Sequence, residues 1–368
     1  MFTTNKDLLK NLTTENRIWQ GIPSIAVTKG GRQFVAFYSG GIKEDIGNYV
    51  VLCIGTDNTE FSEPIAAAVP DDSHRMFDCS LWIDPQDRLW MFWARFPDDA
   101  VYAVVCDDPD AEKLKFSEEF YVGKDVMMNK PIVLSSGEWM LPIAVWAKDV
   151  TVLPRKNINE EEIGAGAYIS TDNGKTFEKR GKAIIPDTSY DEHMFLELKD
   201  GTIEAFVRTK TGLGISFSKD KGYTWSKGEV SEIKGPSSRF HICRLPSGRV
   251  LMINHHEFTY RNNLTALLSE DDGKTWTKTL LLDERNEVSY PDVSLHNGFI
   301  YITYDRERGA LKKSLNEAYE CAREILTAKI TEEDIIAGKL VNKDSYLKRV
   351  ISKLGEYKGK DENPYNEQ

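Results

Sequence analysis

Cysteine is scarce in this chain. Five stand in 368 residues, at 53, 79, 106, 243 and 321, an odd number, widely scattered and without C-x-x-C spacing. That usage argues against a disulfide framework and against a cysteine-built zinc site, and it reads as reduced, mostly buried thiols in a cytoplasmic protein. Positive charge is also in short supply. Against 58 Asp and Glu there are 47 Lys and Arg, a formal net charge of −11, so neither nucleic acid nor an anionic membrane surface is expected as the main partner, because both require a basic footprint. No run approaches the roughly 20 apolar residues of a membrane span, and residues 1–16 lack the apolar core of a secretory signal. The one histidine cluster, His255-His256-Glu257, sits in a strand pattern where neighbours face opposite sides, so no metal site is expected. Aromatic residues, by contrast, are plentiful: 8 Trp, 15 Tyr and 16 Phe are ample for a large core, and a small or carbohydrate ligand fits the charge balance.

What the chain does contain is a repeat. Ser170-Thr171-Asp172-Asn173-Gly174-Lys175-Thr176-Phe177, Ser218-Lys219-Asp220-Lys221-Gly222-Tyr223-Thr224-Trp225 and Ser269-Glu270-Asp271-Asp272-Gly273-Lys274-Thr275-Trp276 share the pattern S-x-D-x-G-x-T-aromatic. Each reads as a hairpin turn in which Asp caps backbone N–H groups and Gly supplies positive φ. The Asp residues lie 48 and 51 apart (172 to 220, 220 to 271), the length of one four-stranded sheet with its loops. Weaker copies follow similar apolar strands at Asp57 and Asp107. Counting phrases of strand, Gly turn, strand and strand predicts an all-β, six-bladed propeller of four-stranded antiparallel blades over residues 17–340, with a polar leader at 1–16 and a C-terminal segment at 341–368. Residues 148–162 read as a charged surface insertion and 311–321 as a helical one. Thr331 with Glu332, Glu333 and Asp334 reads as a helix start, 344–356 as a second short helix with Leu347, Val350, Ile351 and Leu354 on one face, and 358–368 as a disordered tail.

Propellers bind ligands where strand ends converge on the axis, which singles out polar residues at blade entrances and strand ends: Glu192, Arg208, Arg261, Tyr290 and Asp305. In these stretches the sequence resembles the sialidase (neuraminidase, BNR-repeat) superfamily of glycoside hydrolases, over about residues 17–340. The resemblance rests on Asp191-Glu192-His193-Met194-Phe195-Leu196-Glu197, Phe206-Val207-Arg208-Thr209, Tyr260-Arg261-Asn262-Asn263-Leu264, Ser289-Tyr290-Pro291-Asp292 and Tyr304-Asp305. It implies Tyr290 as nucleophile, Glu192 as its partner carboxylate, Arg208 and Arg261 as substrate arginines, and Asp305 as the acid that orients a first arginine. The acid/base is expected at Glu44 or Asp45, with Asp45 favoured. A carbohydrate substrate and no metal or organic cofactor are implied.

One departure stands out. Where the family opens its first blade with R-I-P, this chain reads Gly21-Ile22-Pro23, so the first substrate arginine is missing. Arg75, with Asp78 nearby, and Arg239 are the candidate replacements at blade entrances, and Trp19 and Gln20 flank the same position, Trp19 as a platform for a sugar face. Trp82 and Trp146 are further stacking candidates. The missing arginine leaves two other readings open: a glycosidase or lyase acting on a rhamnoside or uronide, and a carbohydrate-binding propeller without catalysis.

Overall fold

The computed structural model describes residues 1–147, 158–309, 311 and 319–359. Six antiparallel sheets follow one another along the chain, five with their strands in sequence order and the first with the chain's opening strand added at its outer edge, and together they form a six-bladed propeller. The inner strands, nearest the axis, are Trp19–Val27, Arg75–Ile83, Ile132–Val133, Thr188–Glu197, His241–Arg244 and Val288–His296. Hydrophobic alternation explains why sheets stack side by side. Phe34, Ala36 and Tyr38 pack toward blade two against Leu81, Met91 and Trp93, whereas Val35 and Phe37 on the same strand pack toward blade six against Tyr301 and Ile325. Both faces of a blade are therefore apolar, with a period of two. Trp82 and Trp90 meet Trp139 between blades two and three, so Trp82 belongs to the core.

The repeated turns join third to fourth strands. In each, Asp172, Asp220 or Asp271 accepts the backbone N–H and the hydroxyl of the Thr four residues on, at 2.6–2.9 Å, and the strand-ending Ser hydroxyl accepts the Gly N–H at 2.8 Å. The glycines have φ of +83°, +88° and +85°, the left-handed region that glycine enters without steric cost.

Along the axis, the ring is held by buried polar contacts between blades. Asp292 of blade six accepts Ser24 Oγ at 2.5 Å and Ile25 N–H at 2.9 Å from blade one, and Lys130, just ahead of blade three's inner strand, donates to Asp292 at 2.6 Å, to the Ile25 carbonyl at 2.7 Å and to the Leu81 carbonyl of blade two. His241 of blade five faces the same carboxylate at 3.3 Å.

Two expectations about the ends of the chain need correction. Tyr346–Lys353 is a strand, not a helix: it pairs with Glu324–Ile330, matching Arg349 to Thr327 and Val350 to Leu326. Glu324–Ile330 is buried along its whole length, and its outer N–H and C=O groups require a partner, so sheet completion overrides a local helical spacing. The leader is likewise part of the fold, because Phe2–Thr3 adds a fifth strand to blade one beside Ala66–Ala68. The helix at Glu332–Ala337 forms as expected, with a Thr331–Asp334 capping box and Gly338 at φ +64°. Most of the 148–162 insertion, the 311–321 segment and the 358–368 tail lies outside the described residues. Among the described residues no helix is long and apolar enough to cross a membrane.

Candidate active site

Four inner strands break register near the same end of the axis. The ladders shift between Gly21 and Ser24, Phe77 and Ser80, Thr188 and His193, and Ser289 and Asp292. Within these irregularities Ile22, Asp78, Asp191 and Tyr290 adopt φ of +55°, +45°, +44° and +56°. Such values are unfavourable for any side chain and most of all for a β-branched one, and strain of this kind gathers at functional sites. Each bulge turns a side chain out of the ladder. The result is a cleft on the axis, about 200 Å³ in volume and lined from several blades, among others by Glu44, Asp78, Glu192, Arg208, Arg261 and Tyr290.

Tyr290 is at its centre. The Arg208 guanidinium donates to the Tyr290 hydroxyl at 3.1 Å and to Glu192 Oε1 at 2.5 Å, and the hydroxyl lies 3.5 Å from the same carboxylate oxygen. All three side chains are at least nine-tenths buried. Burial works against the Arg208 charge, but Glu192 and then Tyr290 outweigh it and hold its pKa above the ordinary value. The Ser237 carbonyl gathers Arg208 at 2.9 Å and Arg261 at 2.7 Å, which sets two guanidinium groups side by side. Glu192 Oε2 has no hydrogen-bond partner among the described residues. Asp78, fully enclosed, has its carboxyl pushed up to about 8, first by burial and then by Glu44, with Arg75 opposing.

Several expected site residues are placed otherwise. Glu44 lines the cleft, whereas the favoured Asp45 turns away to accept the Ile46 N–H at 2.8 Å and to pair with Lys43 at 3.7 Å, with 44% of its side chain exposed. Trp19 is core, packed on Tyr38 with ring centroids 4.7 Å apart. Gln20 is buried and donates to the Arg323 and Ser352 carbonyls at 2.7 and 3.2 Å. Arg239 has no exposed surface, because its guanidinium is spent on the carbonyls of Pro23, Met128 and Tyr290 at 2.6–3.0 Å. It braces the strained Tyr290 backbone from behind and does not line the cleft. Asp305 also lies behind the cleft, fully buried, accepting Ile22 N–H at 2.7 Å and Ser289 Oγ at 2.8 Å. Arg75 does line the cleft, stacked 4.1 Å over the Phe77 ring, and Trp146 contributes to the wall with Tyr190.

Sequence reasoning missed Arg308. It follows the second strand of blade six, lines the cleft and stacks 4.4 Å over the Tyr290 ring. Its neighbours Arg306 and Glu307 are charged as well, so nothing local marks the one that turns inward. The signal lay 287 positions away (21 to 308), in Gly21.

The sequence matches the BNR repeat-like domain model over residues 32–302. No curated protein matches it. Among solved structures the fold is similar to the Hadza microbial sialidase Hz136, at TM-score 0.62 and 16% identity over 79% of this chain and 64% of that one. It is also similar to a protein of unknown function from Dyadobacter fermentans, at TM-score 0.61 and 16% identity over 80% and 92%. A third is the intramolecular trans-sialidase from Ruminococcus gnavus, at TM-score 0.62 and 12% identity over 88% and 96%. The chain thus spans less than two thirds of the length of the Hadza sialidase it resembles.

Proposed function

This chain belongs to the BNR repeat-like domain family, and from that premise we propose that it is an exo-acting glycoside hydrolase of the sialidase type that removes a terminal anionic sugar. The observation that carries the reading is the Tyr290 hydroxyl within reach of both Arg208 and Glu192 on the floor of the cleft. A tyrosine is a weak nucleophile until a carboxylate takes its proton. It suits a sugar that bears its own carboxylate at the anomeric carbon, where an anionic nucleophile would be repelled, and sialidases depart from the two-carboxylate scheme for this reason. In the proposed reaction Tyr290 Oη bonds to the anomeric carbon as its proton passes to Glu192. The glycosidic bond breaks, and Glu44 gives a proton to the departing oxygen. Water then attacks the same carbon, losing its proton to Glu44, and Tyr290 leaves with the proton held by Glu192, so configuration is retained. Arg208 and Arg261 hold the substrate carboxylate, since paired guanidinium forks match its geometry.

The five free cysteines fit a reducing compartment, and the reading puts the enzyme in the cytoplasm acting on small oligosaccharides. The test is release of fluorophore from an aryl α-sialoside by the purified protein beside its Tyr290→Phe variant. Turnover lost in the variant is expected. A folded wild-type protein that cleaves only an aryl uronide would overturn the sialic acid assignment, and one that cleaves only an aryl rhamnoside, which has no acid group, would overturn the anionic substrate as well. Sugar binding without turnover, unchanged in Tyr290→Phe, would mark a binding propeller instead.

A further inference from the structure

Gly21 and Arg308 occupy one space. A β-carbon on Gly21 would lie 2.2 Å from Arg308 Cδ and 2.4 Å from Cγ, closer than atoms approach, so the arginine stem runs where any side chain at 21 would begin. Asp305, whose carboxylate also receives the Ile22 N–H, holds the Arg308 Nε end at 3.7 Å. The stem is thereby pinned between two strands, and the charged end leans over the Tyr290 ring. The Arg308 side chain is 10% exposed, and its nearest anion besides Asp305 is Glu44 at 3.9 Å. Arg308 Nη1 is buried with no hydrogen-bond partner among the described residues. A buried donor on a charged group left without an acceptor costs more than almost any other local defect, and one that faces a cleft is satisfied when a ligand brings the acceptor.

Resting on the reading of this cleft as a site for an anionic sugar, we infer that Arg308 is the cation that selects the substrate's carboxylate, and that Gly21 is the residue that makes room for it. Arg208 and Arg261 are each already engaged with the Ser237 carbonyl, and Arg208 also with Glu192. Arg308 has its fork open and lies beside the same tyrosine, so it contributes most of the discrimination between an acid and its neutral ester.

The test uses the full chain and measures ligand-induced shifts in melting temperature with sialic acid and with glucuronic acid, each beside its methyl ester, at concentrations into the tens of millimolar. Loss of one charge-assisted contact corresponds to a roughly 10- to 150-fold weaker affinity for the acid, with the ester unchanged. Arg308→Ala is expected to show that loss and Arg308→Lys part of it, since an ammonium supplies charge without the fork; Arg308→Lys also serves if the alanine variant does not fold. Gly21→Ala, which displaces the arginine without removing it, is expected to shift affinity the same way, and Gly21→Ala with Arg308→Ala together to be no worse than Arg308→Ala alone. Preference for acid over ester that survives in Arg308→Ala overturns the inference and leaves the sialidase reading standing. Preference for glucuronic acid alone, lost in Arg308→Ala, overturns the sialidase reading and supports the inference. A wild-type protein indifferent to the acid group overturns both.

Discussion

Replacing Lys130 by Met tests how the propeller is held closed. The ammonium lies almost wholly inside the axis, where it donates to Asp292, Ser24 Oγ and the carbonyls of Ile25 and Leu81, residues of blades six, one and two. Burial pulls the Lys130 pKa down, opposed by Asp292. For Asp292 burial pushes upward, but Lys130 first and then His241 hold it far below the ordinary carboxylate range. Met fills most of the same volume but removes the cation that contributes most to holding the Asp292 charge, a loss of about 3–5 kcal/mol for one partner of a buried pair. At roughly 2.1 cal/mol/K per residue the unfolding entropy of a chain this long is on the order of 0.8 kcal/mol/K. The expected fall in melting temperature is then about 4–6 °C by calorimetry at neutral pH. Lys130→Met combined with Asp292→Asn removes the orphaned charge and is expected to recover part of that loss, as coupled neighbours do. A fall of less than about 1 °C in the single variant, or a double variant with strictly additive losses, would refute the view that this pair ties the blades together.

At the cleft, Glu44→Gln is expected to lower kcat on substrates with poor leaving groups by about 10²–10⁴-fold, the range of a lost general acid, while Asp45→Asn leaves it within about threefold; equal losses in a steady-state assay would count against Glu44. Asp78 carries a pKa of about 8 in the fold, above the ordinary carboxyl value. Its contribution to stability is therefore complete below about pH 4 and is lost as pH rises through about 8, and Asp78→Asn is expected to flatten that stretch of a melting-temperature profile. The Gly174→Ala β-carbon would meet Trp90 and Trp139 at 2.5–2.6 Å at a φ of +83°, so chemical denaturation is expected to show a loss of about 1–3 kcal/mol; an unchanged midpoint would mean the turn relaxes freely.

Six blades and their three repeated turns are written in local sequence, although the outer strands Phe2–Thr3 and Tyr346–Lys353 are not. An Asp, a Gly and a Thr at fixed spacing make a turn from neighbours in the chain, and sheets with two apolar faces must each be covered on both sides, which repeated blades do by stacking on one another. The positions of Glu192, Arg208, Arg261 and Tyr290 were legible for a related reason: each sits beside a strand whose pattern marks where it ends. Tertiary structure decided the rest. Glu44 and Asp45 are adjacent in one polar loop, and only the path of that loop turns the first toward the cleft and the second toward Lys43. Arg239 stands at a blade entrance, as a ligand residue would, yet backbone carbonyls from three other blades absorb it. Residues 344–356 have helical spacing, but the unpaired edge of Glu324–Ile330 recruits Tyr346–Lys353 as a strand. Gly21 reads in isolation as a lost arginine; whether the space it vacates is empty depends on a side chain from the far end of the ring, and long-range closure fills it with Arg308. Local physics writes turns and strands into neighbouring residues, whereas the charge lining an axial cleft is assembled from blades that meet only after the ring has closed.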